Sequence, residues 1–104
     1  MEVQCASAIT PSEHFSIITY SGTESAQSSN SLSNQVGTIG FQPDFVWTKN
    51  RGLAEPHMLY DSVRGVEQTL YSNATDGQYN DSGSLTSFDS TGFSLGTYSG
   101  TNRN

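Results

Sequence analysis

The stretch FQPDFVWTK at residues 41–49 decides the fold of this chain. Pro43 and Asp44 are typical turn residues, and the aromatic and β-branched run that follows them is typical of a β-strand. Side chains alternate between the two faces of a strand, so Phe45 and Trp47 share one face. We expect both in the core, because large aromatic side chains gain most from burial. The less favoured alternative is that Trp47 is exposed and stacks on a sugar ring.

Further strand patterns lie on both sides of this stretch. The predicted strands are 15–20, 35–39, 57–61, 66–72, 85–88 and 92–95, and the predicted loops are 21–34 and 73–84. Within the third of these strands, the apolar side chains of Met58 and Tyr60 share a face. No window places apolar residues at helical spacing over several turns. Short strands separated by turn signals predict an all-β fold, an antiparallel β-sandwich or jelly roll.

The length and composition are those of one small domain. The chain has 104 residues, which is enough for one hydrophobic core. Its hydrophobic content of 33% and aromatic content of 11% predict a thin core built from a few large side chains. We divide the chain into a lead-in segment at 1–14, a β-sandwich module at 15–96 and a polar tail at 97–104.

The charge of the chain limits its partners. Acidic residues outnumber basic ones by 10 to 4, for a net charge of −6. Binding to nucleic acid needs clustered cations, so nucleic acid is not an expected partner, and the same acidity disfavours an anionic membrane surface. No apolar run reaches the about 20 residues that span a bilayer, so we expect no membrane insertion. The single cysteine, Cys5, cannot form an intrachain disulfide. It is interpreted as a small buried or idle thiol, and an interchain bridge is the less favoured alternative.

The sequence holds no pattern that predicts catalysis. His14 and His57 are its histidines, but no serine lies in the Gly-x-Ser-x-Gly pattern of a nucleophile elbow. Several acidic residues sit at turn positions, where local hydrogen bonding is favoured over a glycosidase carboxylate pair. These residues are Asp44, Asp61 and Asp89. We therefore expect a chain that is not an enzyme and has no catalytic residues.

The loop at 76–83 loosely resembles a calcium-binding loop. Oxygen-bearing side chains recur along it, beginning with Asp76. However, Asp81 stands where such a loop requires glycine, and Ser87 stands where it requires the closing Glu. A solvated turn is the favoured interpretation, so we expect neither a metal nor a cofactor.

Three ordered motifs resemble a module that recurs in structural proteins of tailed bacteriophages, especially marine and cyanobacterial phages. They are VGTIGFQPDFVWTKNR at 36–51, LYDSVRG at 59–65 and SLTSFDSTGFSLG at 84–96. The resemblance implies a concanavalin A-like or laminin G-like β-sandwich in a tail-fibre-like or other virion protein. It also implies a closing strand that this chain lacks, and therefore an open sheet edge. We expect another chain, or the lead-in at 1–12, to cover that edge.

The motifs of this resemblance include two candidate contact residues, Asp61 and Arg64. One interpretation is that they face a ligand. The favoured one is that they pair with each other or with backbone to hold a corner, since half-buried polar groups need partners. Tyr71 and Tyr79 are further candidates for contact with a ligand or partner. Tyr71 lies off the apolar face of its strand, and Tyr79 stands alone in a polar loop.

The residues and the resemblance together predict a non-catalytic virion protein that is assembled in the host cytoplasm. The favoured function is a surface-exposed capsid or tail decoration module that binds other virion proteins and forms a homo-oligomer, because 104 residues do not include the long shaft of a fibre. The alternative is a tail-fibre or spike module that recognises host surface glycans or proteins. An enzyme such as a glycan depolymerase is the third class, supported only by the general associations of the fold.

Overall fold

The computed structural model describes residues 10–23, 27–28 and 39–103. These residues contain the strands β1 (Gln27–Ser28), β2 (Phe45–Thr48), β3 (Met58–Asp61), β4 (Gln68–Tyr71), β5 (Tyr79–Asn80), β6 (Leu85–Asp89) and β7 (Gly92–Leu95). A 3-10 helix covers Pro11–Glu13, and the short helix α1 covers Ser99–Asn102. Cys5 and the lead-in at 1–9 lie outside the described residues.

The strands form two antiparallel sheets. One sheet has the order β2-β3-β4-β5 and the other the order β1-β7-β6. β6 and β7 form a tight hairpin in which Asp89 faces Gly92 across a two-residue turn, as the sequence predicts for this region. The prediction of an all-β, antiparallel fold is confirmed, and the finer assignment to a β-sandwich or jelly roll stays a prediction.

The core takes side chains from both sheets. The four-stranded sheet contributes Val46, Met58 and Tyr60, and the other sheet contributes Leu85, Phe93 and Leu95. Tyr60 is fully buried, and its hydroxyl contacts the Met58 sulfur at 3.6 Å. Burial raises the pKa of the Tyr60 hydroxyl, so the group stays neutral in the core. A few large side chains thus fill the interior, as the low hydrophobic content predicts.

The predicted burial of Phe45 and Trp47 is wrong. Their side chains are 56% and 59% exposed, whereas Val46 and Thr48 on the opposite face are buried. The cause is the register of β2 on β3, which places Val46 opposite Tyr60 and Thr48 opposite Met58. Residues that face each other across a ladder share a face of the sheet. The smaller side chains of β2 therefore follow β3 into the core, and the aromatic ones lie outside.

Several predicted boundaries also differ from the structure. The strand predicted at 15–20 does not form, and the loops predicted at 21–34 and 73–84 contain the two-residue strands β1 and β5. The strand predicted at 66–72 is shorter, at Gln68–Tyr71. Of the strand predicted at 35–39, only Ile39 is described, and it lies in no strand. Strands of two residues are too short to produce a pattern of alternation.

The polar C-terminal residues belong to the packed structure. Gly100, Thr101 and Asn102 are buried in the α1 turn. A side-chain carbon added at Gly100 would collide with Met58 of the core, so glycine allows the turn to approach the sheet. The Asn102 side-chain amide donates to the Gly96 carbonyl at 2.7 Å, which fastens the turn to the end of β7.

Candidate functional site

Asp61 and Arg64 form a closed corner after β3. The Arg64 backbone N–H donates to Asp61 Oδ1 at 2.8 Å, and the Arg64 guanidinium forms an ion pair with Asp61 Oδ2. The guanidinium also donates to the Leu59 carbonyl at 3.1 Å. The backbone hydrogen bond from Arg64, followed by its guanidinium, lowers the pKa of the Asp61 carboxyl. The structure therefore contains the corner-holding pair that the sequence favoured, and a ligand contact by these residues stays a prediction.

Tyr71 and Tyr79 come together on neighbouring strands. Their ring centroids are 5.4 Å apart with the planes tilted by 37°. Tyr71 is half-buried and packs against the core, and its hydroxyl donates to Asp81 Oδ2 at 2.9 Å. Burial, followed by hydrogen bonds with Tyr98 and Asp81, raises the pKa of the Tyr71 hydroxyl. Tyr71 thus supports Tyr79, whose side chain is 46% exposed and available for contact.

The acidic turn residues also bind locally, as the sequence predicts. The Ser62 hydroxyl donates to Asp44 Oδ1 at 3.0 Å. Asp89 accepts from the hydroxyls of Ser87 and Ser94 at 2.7 and 2.6 Å. In the part of the chain that the structure describes, no group of three or more His, Cys, Asp or Glu residues is placed to hold a metal ion.

A groove lies beside β2, and we call it the β2 groove. Residues 13–22 form one wall and residues 41–53 form the other, and its volume is about 1480 Å³. Large apolar side chains stand exposed along both walls: Phe15 (69%), Ile17 (82%), Phe45, Trp47 and Leu53. Exposed apolar side chains that gather in one place mark surfaces that bind another molecule.

Trp47 is held in place within the groove. Its indole N–H donates to His57 Nδ1 at 3.0 Å, and the two rings meet edge to face with centroids 5.6 Å apart. The hydrogen bond satisfies the polar atom of the indole and leaves the apolar ring on the surface. A ring fixed in this way loses little conformational entropy when a partner covers it.

The wall at 13–22 is anchored by the C-terminal turn. The Tyr20 hydroxyl donates to the Thr101 carbonyl at 2.5 Å, and the Thr23 backbone N–H donates to Asn102 Oδ1 at 2.9 Å. Gly22 lies so close to the Arg103 backbone that a side chain there would collide with it. Burial, followed by the nearby Tyr60, raises the pKa of Tyr20 to about 12. These contacts join residues that are about 80 positions apart, which no sequence pattern indicates.

The lining of the groove includes basic side chains. Three of the four Lys and Arg residues of the chain line it: Lys49, Arg51 and Arg103. Lys49 is held by backbone carbonyls, including that of Glu55 at 3.0 Å, and Arg103 lies 4.0 Å from the Glu55 carboxylate. The sequence analysis missed this groove because it assigned Phe45 and Trp47 to the core.

One of three comparisons relates the chain to other proteins. No curated protein and no solved structure matches it. The described residues include no helix with the length and apolar character needed to cross a membrane. One family model matches residues 10–104, and that family is described as a domain of unknown function, DUF7483. Since the match covers most of the chain, this protein belongs to the DUF7483 family.

Proposed function

We propose that the chain is a non-catalytic assembly module of a tailed-phage virion, exposed on the capsid or tail and bound to other virion proteins through the β2 groove. It assembles in the host cytoplasm and carries out no reaction. The phage context is supported by the three sequence motifs that resemble virion proteins. The binding role is supported by the groove.

The observation that carries this proposal is the exposure of Phe45 and Trp47. Phe45 and Trp47 lie on the outer face of a strand and are joined there by Phe15 and Ile17 from the opposite wall. Aromatic residues are enriched in protein interfaces, and buried aromatic anchors carry much of the binding energy there. An exposed cluster of this kind is a liability in water unless a partner covers it.

Recognition of a host surface glycan or protein is the second candidate function. Its support is the exposed ring of Tyr79, which lies against Tyr71. An exposed aromatic ring suits a sugar, because it offers an apolar face and a hydroxyl that can form hydrogen bonds. The two candidates use different surfaces, and variants of each surface separate them.

The test measures incorporation into particles. Phage particles are assembled in cells that supply either the wild-type chain or the double variant Phe45→Ser/Trp47→Ser, and the bound chain is quantified by mass spectrometry. We expect the wild type in the particles and the double variant in the soluble fraction. The matched control is Val63→Ser, because Val63 is 95% exposed but does not line the groove. Thermal unfolding confirms that both variants are folded.

Four outcomes contradict the proposal. A wild-type chain that does not co-purify with particles excludes a virion role. Equal incorporation of the double variant and the control excludes the groove as the binding surface. Binding to a glycan array that is abolished by Tyr79→Ser, without particle binding through the groove, favours host recognition instead. Release of soluble sugar from host envelopes by the purified chain would establish an enzyme.

A further inference from the structure

The backbone of β2 has an open edge. Among the described residues β2 pairs with β3 alone, and the Ser62 N–H donates to the Asp44 carbonyl at 2.9 Å at the start of this ladder. The hydrogen-bonding direction alternates along an antiparallel strand. Asp44, Val46 and Thr48 therefore direct their backbone groups toward β3. Those of Phe45 and Trp47 point away from it, toward the β2 groove.

The opposite wall of the groove is also outside any sheet. Residues 15–20 belong to no ladder in the described structure. The wall does not close onto β2, because Tyr20 and Thr23 are held by the C-terminal turn. The groove is thus bounded by two lengths of backbone and held open by contacts elsewhere in the molecule.

The lining of the groove defines the chemistry of its occupant. Its volume of about 1480 Å³ exceeds the roughly 300–1,000 Å³ of pockets that hold small molecules. The buried residues Val46 and Phe93 also line it, while Phe45 and Trp47 stand exposed beside them. An extended strand directs successive side chains to opposite faces. A strand with apolar side chains on both faces would cover Val46 and Phe93 with one face and Phe45 and Trp47 with the other. Its backbone would also form hydrogen bonds with the backbone groups of Phe45 and Trp47.

None of the described strands, in this chain or in a second copy, is available to fill the groove, so we assign the strand to another polypeptide. β3, β4, β6 and β7 are engaged in the ladders of their own sheets, and β1 and β5 have only two residues each. Residues 15–20 already form a wall of the groove. Two copies would also repel each other, since each carries a net charge of −6.

We infer that the β2 groove receives one extended, apolar strand from another polypeptide of the assembly, which hydrogen-bonds to the backbone of Phe45 and Trp47 and extends the four-stranded sheet. The inference rests on the proposed function and specifies how the groove binds. Strand addition of this kind draws its affinity from main-chain hydrogen bonds and its specificity from alternate side chains.

The test is amide hydrogen exchange, resolved by residue with NMR. In the wild-type chain at low concentration, we expect the Phe45 and Trp47 amides to exchange fast and the Val46 and Thr48 amides to exchange slowly. A fusion then adds a flexible Gly/Ser linker and an eight-residue strand of Val, Ile and Thr after Asn104. This tether starts near the groove, because Arg103 lines it. The control fusion carries Pro and Gly at the centre of the added strand, which prevents pairing.

The expected result is specific to two amides. The added strand slows exchange at Phe45 and Trp47 by roughly two- to tenfold, the factor for a hydrogen bond worth about 0.5–1.5 kcal/mol. The control fusion leaves both amides fast. Trp47 is the single tryptophan of the chain, so its fluorescence moves to shorter wavelength when the strand covers it.

Each of the other outcomes contradicts either the inference or the proposed function. A fluorescence shift without amide protection means that the occupant lies on the aromatic face, which leaves the proposed function intact. Protection in the dilute wild-type chain means that its own residues cover the edge, and protection that rises with concentration means that a second copy does. No protection by the fused strand also excludes the inference. Protection together with failure of the particle test leaves the strand site standing and refutes the virion role.

Discussion

The two edges of the four-stranded sheet are built differently. β5 has two residues, and the side chains around it bind each other: the Gln78 amide donates to Gln68 Oε1 at 2.6 Å, and Arg64 donates to Gln78 Oε1 at 3.3 Å. β2 has four residues and presents Phe45 and Trp47 to the surface. Proteins protect sheet edges with short strands and polar side chains. Among the described residues, the β5 edge has both protections and the β2 edge has neither, which is why we propose that β2 receives a partner.

The largest expected effect separates the interior of this sheet from its β5 edge. Tyr60 in β3 is fully buried, whereas Tyr79 in β5 is 46% exposed. Replacing a large buried aromatic side chain with Ala leaves a cavity, so Tyr60→Ala should lower the free energy of unfolding by about 3–5 kcal/mol. Tyr79→Ala should change it by less than about 1 kcal/mol. Urea denaturation followed by circular dichroism measures both.

Two further results decide how this comparison is interpreted. If Tyr60→Ala leaves too little folded protein to measure, Tyr60→Phe keeps the ring and should remain folded. Similar losses for Tyr60→Ala and Tyr79→Ala would mean that β5 is a structural strand, and the contrast between the two edges would fail.

The second prediction concerns the support of the β2 groove. Asn102 is fully buried and bridges the Thr23 N–H and the Gly96 carbonyl. Asn102→Ala leaves both backbone groups without this partner, which costs about 1–3 kcal/mol for a buried group. Limited proteolysis with thermolysin should also cut faster within residues 15–20, because their anchor is lost. Asn80→Ala, at the exposed β5 edge, is the matched control. An unchanged rate of cleavage in Asn102→Ala would show that other contacts hold the wall.

The contrast between local and distant contacts explains how much the sequence predicts. The β6–β7 hairpin and the Met58–Tyr60 face are visible because apolar and polar residues alternate over a few positions. The Asp61–Arg64 pair is visible because its members are three residues apart. In each case the partners are neighbours in the sequence, or the pattern repeats within one strand.

The β2 groove could not be found in this way. Both faces of β2 carry apolar or β-branched side chains, so alternation alone does not decide which face is buried. That choice depends on the register with β3, and the opposite wall depends on contacts between Tyr20 and Thr101. Asn102 is buried although it lies in a polar tail, because it satisfies backbone groups. Tertiary context of this kind overrides the local pattern.

The smallest expected effect is a loss of stability at alkaline pH, and it arises at the wall of the β2 groove. Tyr20 anchors the groove wall through its hydroxyl, and burial raises its pKa from the ordinary tyrosine value of 10.0 to about 12. The unfolded chain therefore loses this proton at lower pH than the folded chain does. The stability contributed by neutral Tyr20 is complete below pH 10 and is lost as the pH rises toward 12.

Tyr20→Phe removes both the hydrogen bond and this titration. At pH 7 the variant should be less stable than the wild type by about 0.5–1.5 kcal/mol, the worth of one hydrogen bond. Above pH 10 the difference in stability should shrink and then reverse. The reason is that ionisation of Tyr20 favours the unfolded wild type, whereas Phe has no proton to lose. Urea denaturation at a series of pH values measures the difference directly. A gap between the two proteins that stays constant up to pH 12 would mean that Tyr20 is not buried, and that the wall of the groove is free to move.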